Sequence, residues 1–183
     1  MAMLDLTQNY YDMFGLPVAF EVDLSALAAR YRELQRIVHP DRHASGTDQQ
    51  RRLSLQGATY LNEALETLKD PLRRARYLLI LRGLDPDADG GQPMSPHFLM
   101  EQMALRERLA ELRGEADPLA AANAFLADVR RRVASAVAAL SGQFATGDAA
   151  SLGAAAEGLR ELQFLRKLQH EAEMLEAELE DAA

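Results

Sequence analysis

Hydrophobic residues recur every three or four positions along most of the chain, which is the spacing of one face of an α-helix. The first long stripe consists of Leu24, Leu27, Tyr31, Leu34 and Val38. The second consists of Leu53, Gly57, Tyr60 or Leu61, Ala64 and Leu68. Because only a short polar segment joins the two helices, we expect them to lie antiparallel with their stripes facing each other.

Capping and helix-breaking residues predict where the helices begin and end. A short helix over residues 6–14 should end at Gly15, and Thr47 has capping-box spacing to Gln50. Asp70-Pro71 should open a helix that runs to Arg82. Three later helices should run from Ser95-Pro96 to about Arg113, from Asp117-Pro118 to about Ser141–Gly142, and from about Asp148 to Leu179.

The residues between these two groups of helices are rich in Gly, Pro and Asp, which favour turns. We therefore predict an all-α protein with a helical domain over 1–82, a linker over 83–94 and a three-helix bundle over 95–183.

Composition narrows the possible chemistry. The chain contains no cysteine, which excludes disulfides and any thiolate-held metal cluster. Its net charge is −8, and residues 83–183 account for −9 while residues 1–82 carry +1. Nucleic-acid binding depends on clustered cations, so we expect none here. The imbalance indicates two modules with different partners.

The first ten residues have neither a basic region nor an apolar run, and no stretch approaches the ~18 apolar residues of a membrane span. We therefore expect no signal peptide, no membrane association and a cytoplasmic location.

The turn after the second helix contains His39-Pro40-Asp41, and Arg32 and Arg36 precede it at helical spacing. A basic helical face that ends in a fixed turn suits docking on an acidic protein surface. Two alternatives remain open. The tripeptide could simply end the helix, or His39, Asp41 and His43 could ligate a metal ion.

The helix that opens at Pro96 has apolar residues on two faces. Its core stripe comprises Phe98, Gln102, Leu105, Leu109 and Leu112. At ~100° per residue, Met103 and Met100 lie about 140° and 200° from Phe98, beside Glu107 and Glu111, with Leu99 at the side. Exposed apolar side chains grouped in this way indicate a contact surface. The alternative is that another helix of the bundle covers them. Phe164, on the last helix, could belong to the core or to its rim.

Several segments resemble the HscB-type J-proteins over essentially the whole chain. The first helix, His39-Pro40-Asp41 in the turn and the apolar third helix are similar to a J-domain. The more specific segments are Tyr10-Tyr11-Asp12-Met13-Phe14-Gly15-Leu16-Pro17, Phe98-Leu99-Met100-Glu101-Gln102, Leu105-Arg106-Glu107 and Leu162-Gln163-Phe164-Leu165-Arg166-Lys167-Leu168.

The resemblance implies a co-chaperone that docks on an HscA-type ATPase chaperone, stimulates its ATP hydrolysis and delivers the iron–sulfur scaffold IscU. It assigns chaperone binding to Arg32, Arg36, His39, Pro40 and Asp41. It assigns scaffold binding to Leu99, Met100, Met103, Glu107, Glu111 and Phe164. Ala104 departs from the family, which often has an acidic residue there. We expect no catalytic residue, metal or cofactor.

Three other functions remain open. The chain could be a J-domain protein for general folding or another client, a metal-dependent hydrolase that uses His39, Asp41 and His43, or an acidic helical adaptor in which the tripeptide is accidental.

Overall fold

A computed structural model describes residues 5–38, 47–86 and 95–182. These residues form seven α-helices and no strand, so the all-α prediction is confirmed. The chain divides into two compact units, Met1–Leu81 and Arg82–Ala183. The predicted linker over 83–94 stays a prediction, because residues 87–94 lie outside the described ranges.

The N-terminal unit contains four helices, which are α1 (Tyr10–Phe14), α2 (Leu24–Val38), α3 (Asp48–Lys69) and α4 (Pro71–Leu81). Helix α1 is shorter than predicted, because the side chain of Asn9 accepts a hydrogen bond from the Asp12 N–H and caps the helix. Its C-cap, Gly15, has a φ of 64°, a left-handed conformation that glycine adopts without steric cost.

Helices α2 and α3 form the predicted antiparallel hairpin, since Tyr31 hydrogen-bonds Asn62 while Ser54 hydrogen-bonds Val38. The predicted Thr47–Gln50 capping box is present. The prediction that Leu24 and Leu53 belong to the buried stripes is wrong, because both side chains are exposed. The small Ser54 is buried in place of Leu53, and its hydroxyl donates to the Val38 carbonyl at 2.7 Å.

Helix α4 packs against α3 and buries Arg74, which was not predicted. The Arg74 guanidinium lies 4.9 Å from the centroid of the Phe20 ring and donates to the Leu68 carbonyl. Burial lowers the pKa of Arg74, and the nearby Tyr11, Glu21 and Asp70 side chains oppose this shift.

The C-terminal unit contains α5 (Pro96–Glu111), a 3₁₀ turn (Leu112–Gly114), α6 (Pro118–Thr146) and α7 (Ala149–Asp181). Helix α6 is about one turn longer than predicted and ends at Gly147, whose φ is 68°. Helices α6 and α7 pack antiparallel along their length, and α5 packs beside α7. The three-helix arrangement is therefore confirmed.

Candidate protein-binding surfaces

The first turn of α5 is fixed by its cap. The Ser95 hydroxyl accepts a hydrogen bond from the Phe98 N–H, and Pro96 occupies the first helical turn. Leu105 and Leu112 then point into the core and are buried. Because the buried side of α5 is set in this way, the opposite side of the helix faces solvent.

Three apolar side chains occupy the outer side of α5, and we call Leu99, Met100 and Met103 the α5 patch. Leu99 is 43% exposed, Met100 72% and Met103 71%. The prediction that the two methionines point away from the core is confirmed. The alternative is wrong, because no helix among the described residues covers them. Methionine is flexible and polarizable, which suits an adaptable contact surface.

Acidic side chains continue this surface along α5. Glu107 and Glu111 are both exposed. Glu107 forms no ion pair with any residue in the described part of the chain, whereas Arg108 approaches the Glu111 carboxylate at 3.9 Å and also pairs with Glu115. The two carboxylates that the sequence predicted for one site therefore have different electrostatic surroundings.

Phe164 is a rim residue, half-buried between α7 and α5. Its ring meets the Phe98 ring edge-on, with the centroids 6.0 Å apart and the planes at 89°. The Arg106 guanidinium lies 5.7 Å from the Phe164 centroid. The structure thus brings Phe164 to the side of α5, where the predicted scaffold-binding residues lie. The sequence did not predict the contact between Arg106 and Phe164, because helical spacing relates residues within one helix only.

An ion pair links α5 to α6. Arg132 pairs with both Glu101 and Asp128. The hydrogen bond from Arg132 is the main reason that the pKa of Asp128 lies below its usual value. Burial, followed by the nearby charge of Glu101, raises the pKa of Glu161 on α7. The Glu101–Arg132 pair is therefore a direct polar link between α5 and α6.

The basic surface of the N-terminal unit is described in part. Arg32 and Arg36 are exposed on α2, as predicted. Arg32 forms no ion pair within the described ranges, while Arg30 pairs with Glu33 at 2.7 Å. His39, Pro40 and Asp41 lie outside the described residues, so the contacts of the tripeptide stay a prediction.

The alternative metal ligands His39, Asp41 and His43 also lie outside the described residues. Among the side chains that the structure does describe, no three His, Asp or Glu residues are grouped to hold a metal ion. The helices built from those residues also include none long and apolar enough to cross a membrane.

Comparisons with known proteins agree with this architecture. Residues 94–173 match the family model described as the HSCB C-terminal oligomerisation domain. The co-chaperone protein HscB homolog of Vibrio cholerae is 43% identical over 171 residues, which cover 93% of this chain and 98% of the relative. The homolog from Azoarcus sp. is 45% identical over 170 residues, covering 92% and 93% of the two chains.

Solved structures show the same similarity. Chaperone HscB from Vibrio cholerae has a TM-score of 0.84 at 42% identity, covering 94% of this chain and 99% of that one. Human co-chaperone protein HscB has a TM-score of 0.83 at 28% identity, and the match covers 93% of this chain and 83% of the human one. Jac1 from Saccharomyces cerevisiae, at 23% identity and a TM-score of 0.70, shares the fold.

The fold is that of a J-domain protein with a helical C-terminal domain. The Vibrio cholerae and Azoarcus relatives align with more than nine-tenths of this chain, so the similarity includes both units. The chain belongs to the HscB family of co-chaperones.

Proposed function

We propose that this co-chaperone links an IscU-type iron–sulfur scaffold to an HscA-type ATPase chaperone and stimulates ATP hydrolysis by that chaperone. The α5 patch is the observation that carries the proposal. Leu99, Met100 and Met103 are exposed together on a helix whose opposite side is buried. Burial of such a patch against a partner is favourable in proportion to the apolar area removed from water.

The charged border of the α5 patch would orient the scaffold. The exposed carboxylates of Glu107 and Glu111 can pair with basic side chains of a partner, and Phe164 adds an aromatic edge. Glu107, which has no ion-pair partner in the described chain, is the better placed of the two acids. Arg108 would compete with the scaffold for Glu111.

The J-domain would form the second arm. Arg32 and Arg36 supply exposed positive charge on α2, and the chain continues from α2 directly into His39-Pro40-Asp41. Positive charge of this kind would speed and orient docking on an acidic surface of the chaperone. In this proposal the co-chaperone is not an enzyme, since hydrolysis takes place in the partner and this chain shifts the partner's conformational equilibrium.

The test is single-turnover ATP hydrolysis by the HscA-type chaperone with the co-chaperone alone, IscU alone, and both together. We expect each protein alone to accelerate hydrolysis and the two together to exceed the product of the separate accelerations. A result no greater than that product would argue against delivery of the scaffold. No acceleration in any combination would exclude the J-domain role.

A second candidate is a J-domain protein that serves general folding or another client. The exposed α5 patch is compatible with a different apolar partner. Acceleration by the co-chaperone without any further effect of IscU, together with no measurable IscU binding, would favour this candidate.

A further inference from the structure

Arg106 is an exposed cation on α5 whose described contact is an aromatic ring. Its guanidinium carbon lies 5.7 Å from the centroid of Phe164, and it forms no ion pair with any residue in the described ranges. A guanidinium over a ring face is attracted by the negative charge density of that face. The ring of Phe164 therefore accounts for the position of the Arg106 side chain.

Arg106 also lies on the same face of α5 as the α5 patch. Leu99, Met103 and Arg106 follow one another at spacings of four and three residues, so they lie above one another on the helix. The side chain of Arg106 thus crosses from the α5 patch on one helix to Phe164 on the other. It lies between these two parts of the predicted scaffold-binding site.

Phe164 is held from two directions. Phe98 meets it edge-on at 6.0 Å, and Arg106 covers it at 5.7 Å. A half-buried ring without the arginine would keep the edge contact but would be free to change its rotamer toward solvent. Holding a contact side chain in its bound position before docking lowers the entropic cost of association.

We propose that Arg106 is a positioning residue that fixes the Phe164 ring at the border of the α5 patch before the scaffold docks. This inference rests on the proposed scaffold-binding function. Arginine suits the role better than lysine because its planar guanidinium can stack on the ring, while a lysine ammonium supplies only a point charge.

The first measurement is the affinity of the full-length protein for the cluster-free IscU-type scaffold by titration calorimetry. We expect Arg106→Ala to weaken binding about fivefold, as for the loss of an exposed cation–π contact. Arg106→Lys should restore part of the loss. The matched control is Arg131→Ala, which removes the same charge from an exposed arginine that pairs with Asp128 on α6, and it should leave the affinity unchanged.

The second measurement does not depend on the scaffold. The protein is labelled with 4-fluorophenylalanine, and the Phe164 signal is assigned as the one lost in Phe164→Leu. In the free protein, Arg106→Ala should shift and broaden this ¹⁹F signal, Arg106→Lys should move it less, and Arg131→Ala should leave it unchanged. Circular dichroism should show the same helicity in all variants.

The outcomes separate this inference from the proposed function. An unshifted Phe164 signal in Arg106→Ala would overturn the positioning role, even if affinity fell, because Arg106 would then contact the scaffold directly. Unchanged affinity in Arg106→Ala, alongside weaker binding by Met100→Ala/Met103→Ala, would also overturn it and leave the proposed function intact. Failure of the wild-type protein to bind the scaffold would overturn both.

Discussion

The two exposed methionines of α5 keep most of their surface in contact with water, although Leu105 on the same helix is buried. Their side chains therefore contribute little to the stability of the bundle. A docked partner would remove this apolar surface from water, and the resulting stabilisation would belong to the complex. This separation of folding from binding makes the α5 patch testable by truncation.

We expect Met100→Ala/Met103→Ala to weaken IscU binding by about tenfold or more, because two large contact side chains are lost. The free energy of unfolding should change by less than about 1 kcal/mol, as for exposed positions. Calorimetric titration and thermal unfolding measure the two effects. Met174→Ala, which truncates another exposed methionine on α7, is the control and should preserve affinity. A large loss of helicity in the double variant would show that these side chains belong to the core.

Two exposed arginines on α2, Arg32 and Arg30, differ in whether they form an ion pair with a described residue, so their substitutions can be compared. We expect Arg32→Ala to reduce the co-chaperone's stimulation of chaperone ATP hydrolysis about two- to fivefold at low salt, and less at high salt, because a free surface cation chiefly accelerates docking. Arg30→Ala removes the same charge from a side chain that pairs with Glu33, on another face of the helix. Equal effects of the two substitutions would show that only net charge matters.

At the scale of secondary-structure elements, one buried hydrogen bond joins α2 to α3 at the end of the hairpin near the turn. The last carbonyls of a helix lack partners within the helix. The Val38 carbonyl at the end of α2 accepts from the Ser54 hydroxyl of α3, so the two helices are joined immediately before His39. Gly57 allows the close approach beside this bond, since a Cβ there would lie 3.3 Å from Val38 Cγ1.

Ser54→Ala should destabilise the hairpin by about 1–2 kcal/mol, because the buried Val38 carbonyl would be left without this partner. Hydrogen exchange measured by mass spectrometry should show faster exchange in peptides from α2 and the start of α3. The control is Thr59→Ala, which removes an exposed hydroxyl that donates to the Leu55 carbonyl within α3. Exchange as slow as in the wild type would mean that side-chain packing alone joins the helices.

At the scale of the whole molecule, the two proposed arms belong to different compact units, each with its own buried core. Damage to one arm should therefore leave the fold and the binding of the other intact, since each unit is held together by its own core.

We accordingly expect His39→Gln to abolish stimulation of the chaperone while IscU affinity stays at the wild-type value. Met100→Ala/Met103→Ala should show the reverse, with stimulation by the co-chaperone alone preserved and the additional effect of IscU lost. ATPase assays and calorimetric titration of both variants measure the two arms. Normal stimulation by His39→Gln would contradict the J-domain assignment.

The sequence by itself determined the order of the helices and the side of α5 that carries the two methionines. Caps such as Ser95-Pro96 and Thr47 with Gln50 act through contacts within a few residues, so local sequence is enough to locate them. Local sequence also placed Met100 and Met103 on the side of α5 away from its core stripe. The structure then decided that no helix in the described ranges covers that side. Periodicity failed at Leu24 and Leu53, where contacts between elements decide burial.

The tertiary structure decided the relations that cross from one helix to another. It placed Phe164 beside Phe98 and beneath Arg106, paired Arg132 with Glu101, and buried Ser54 against Val38. Helical spacing relates residues within one helix but carries no information about the register of two packed helices. That register is set by the packing of the whole unit, and it makes the α5 patch and Phe164 parts of one surface.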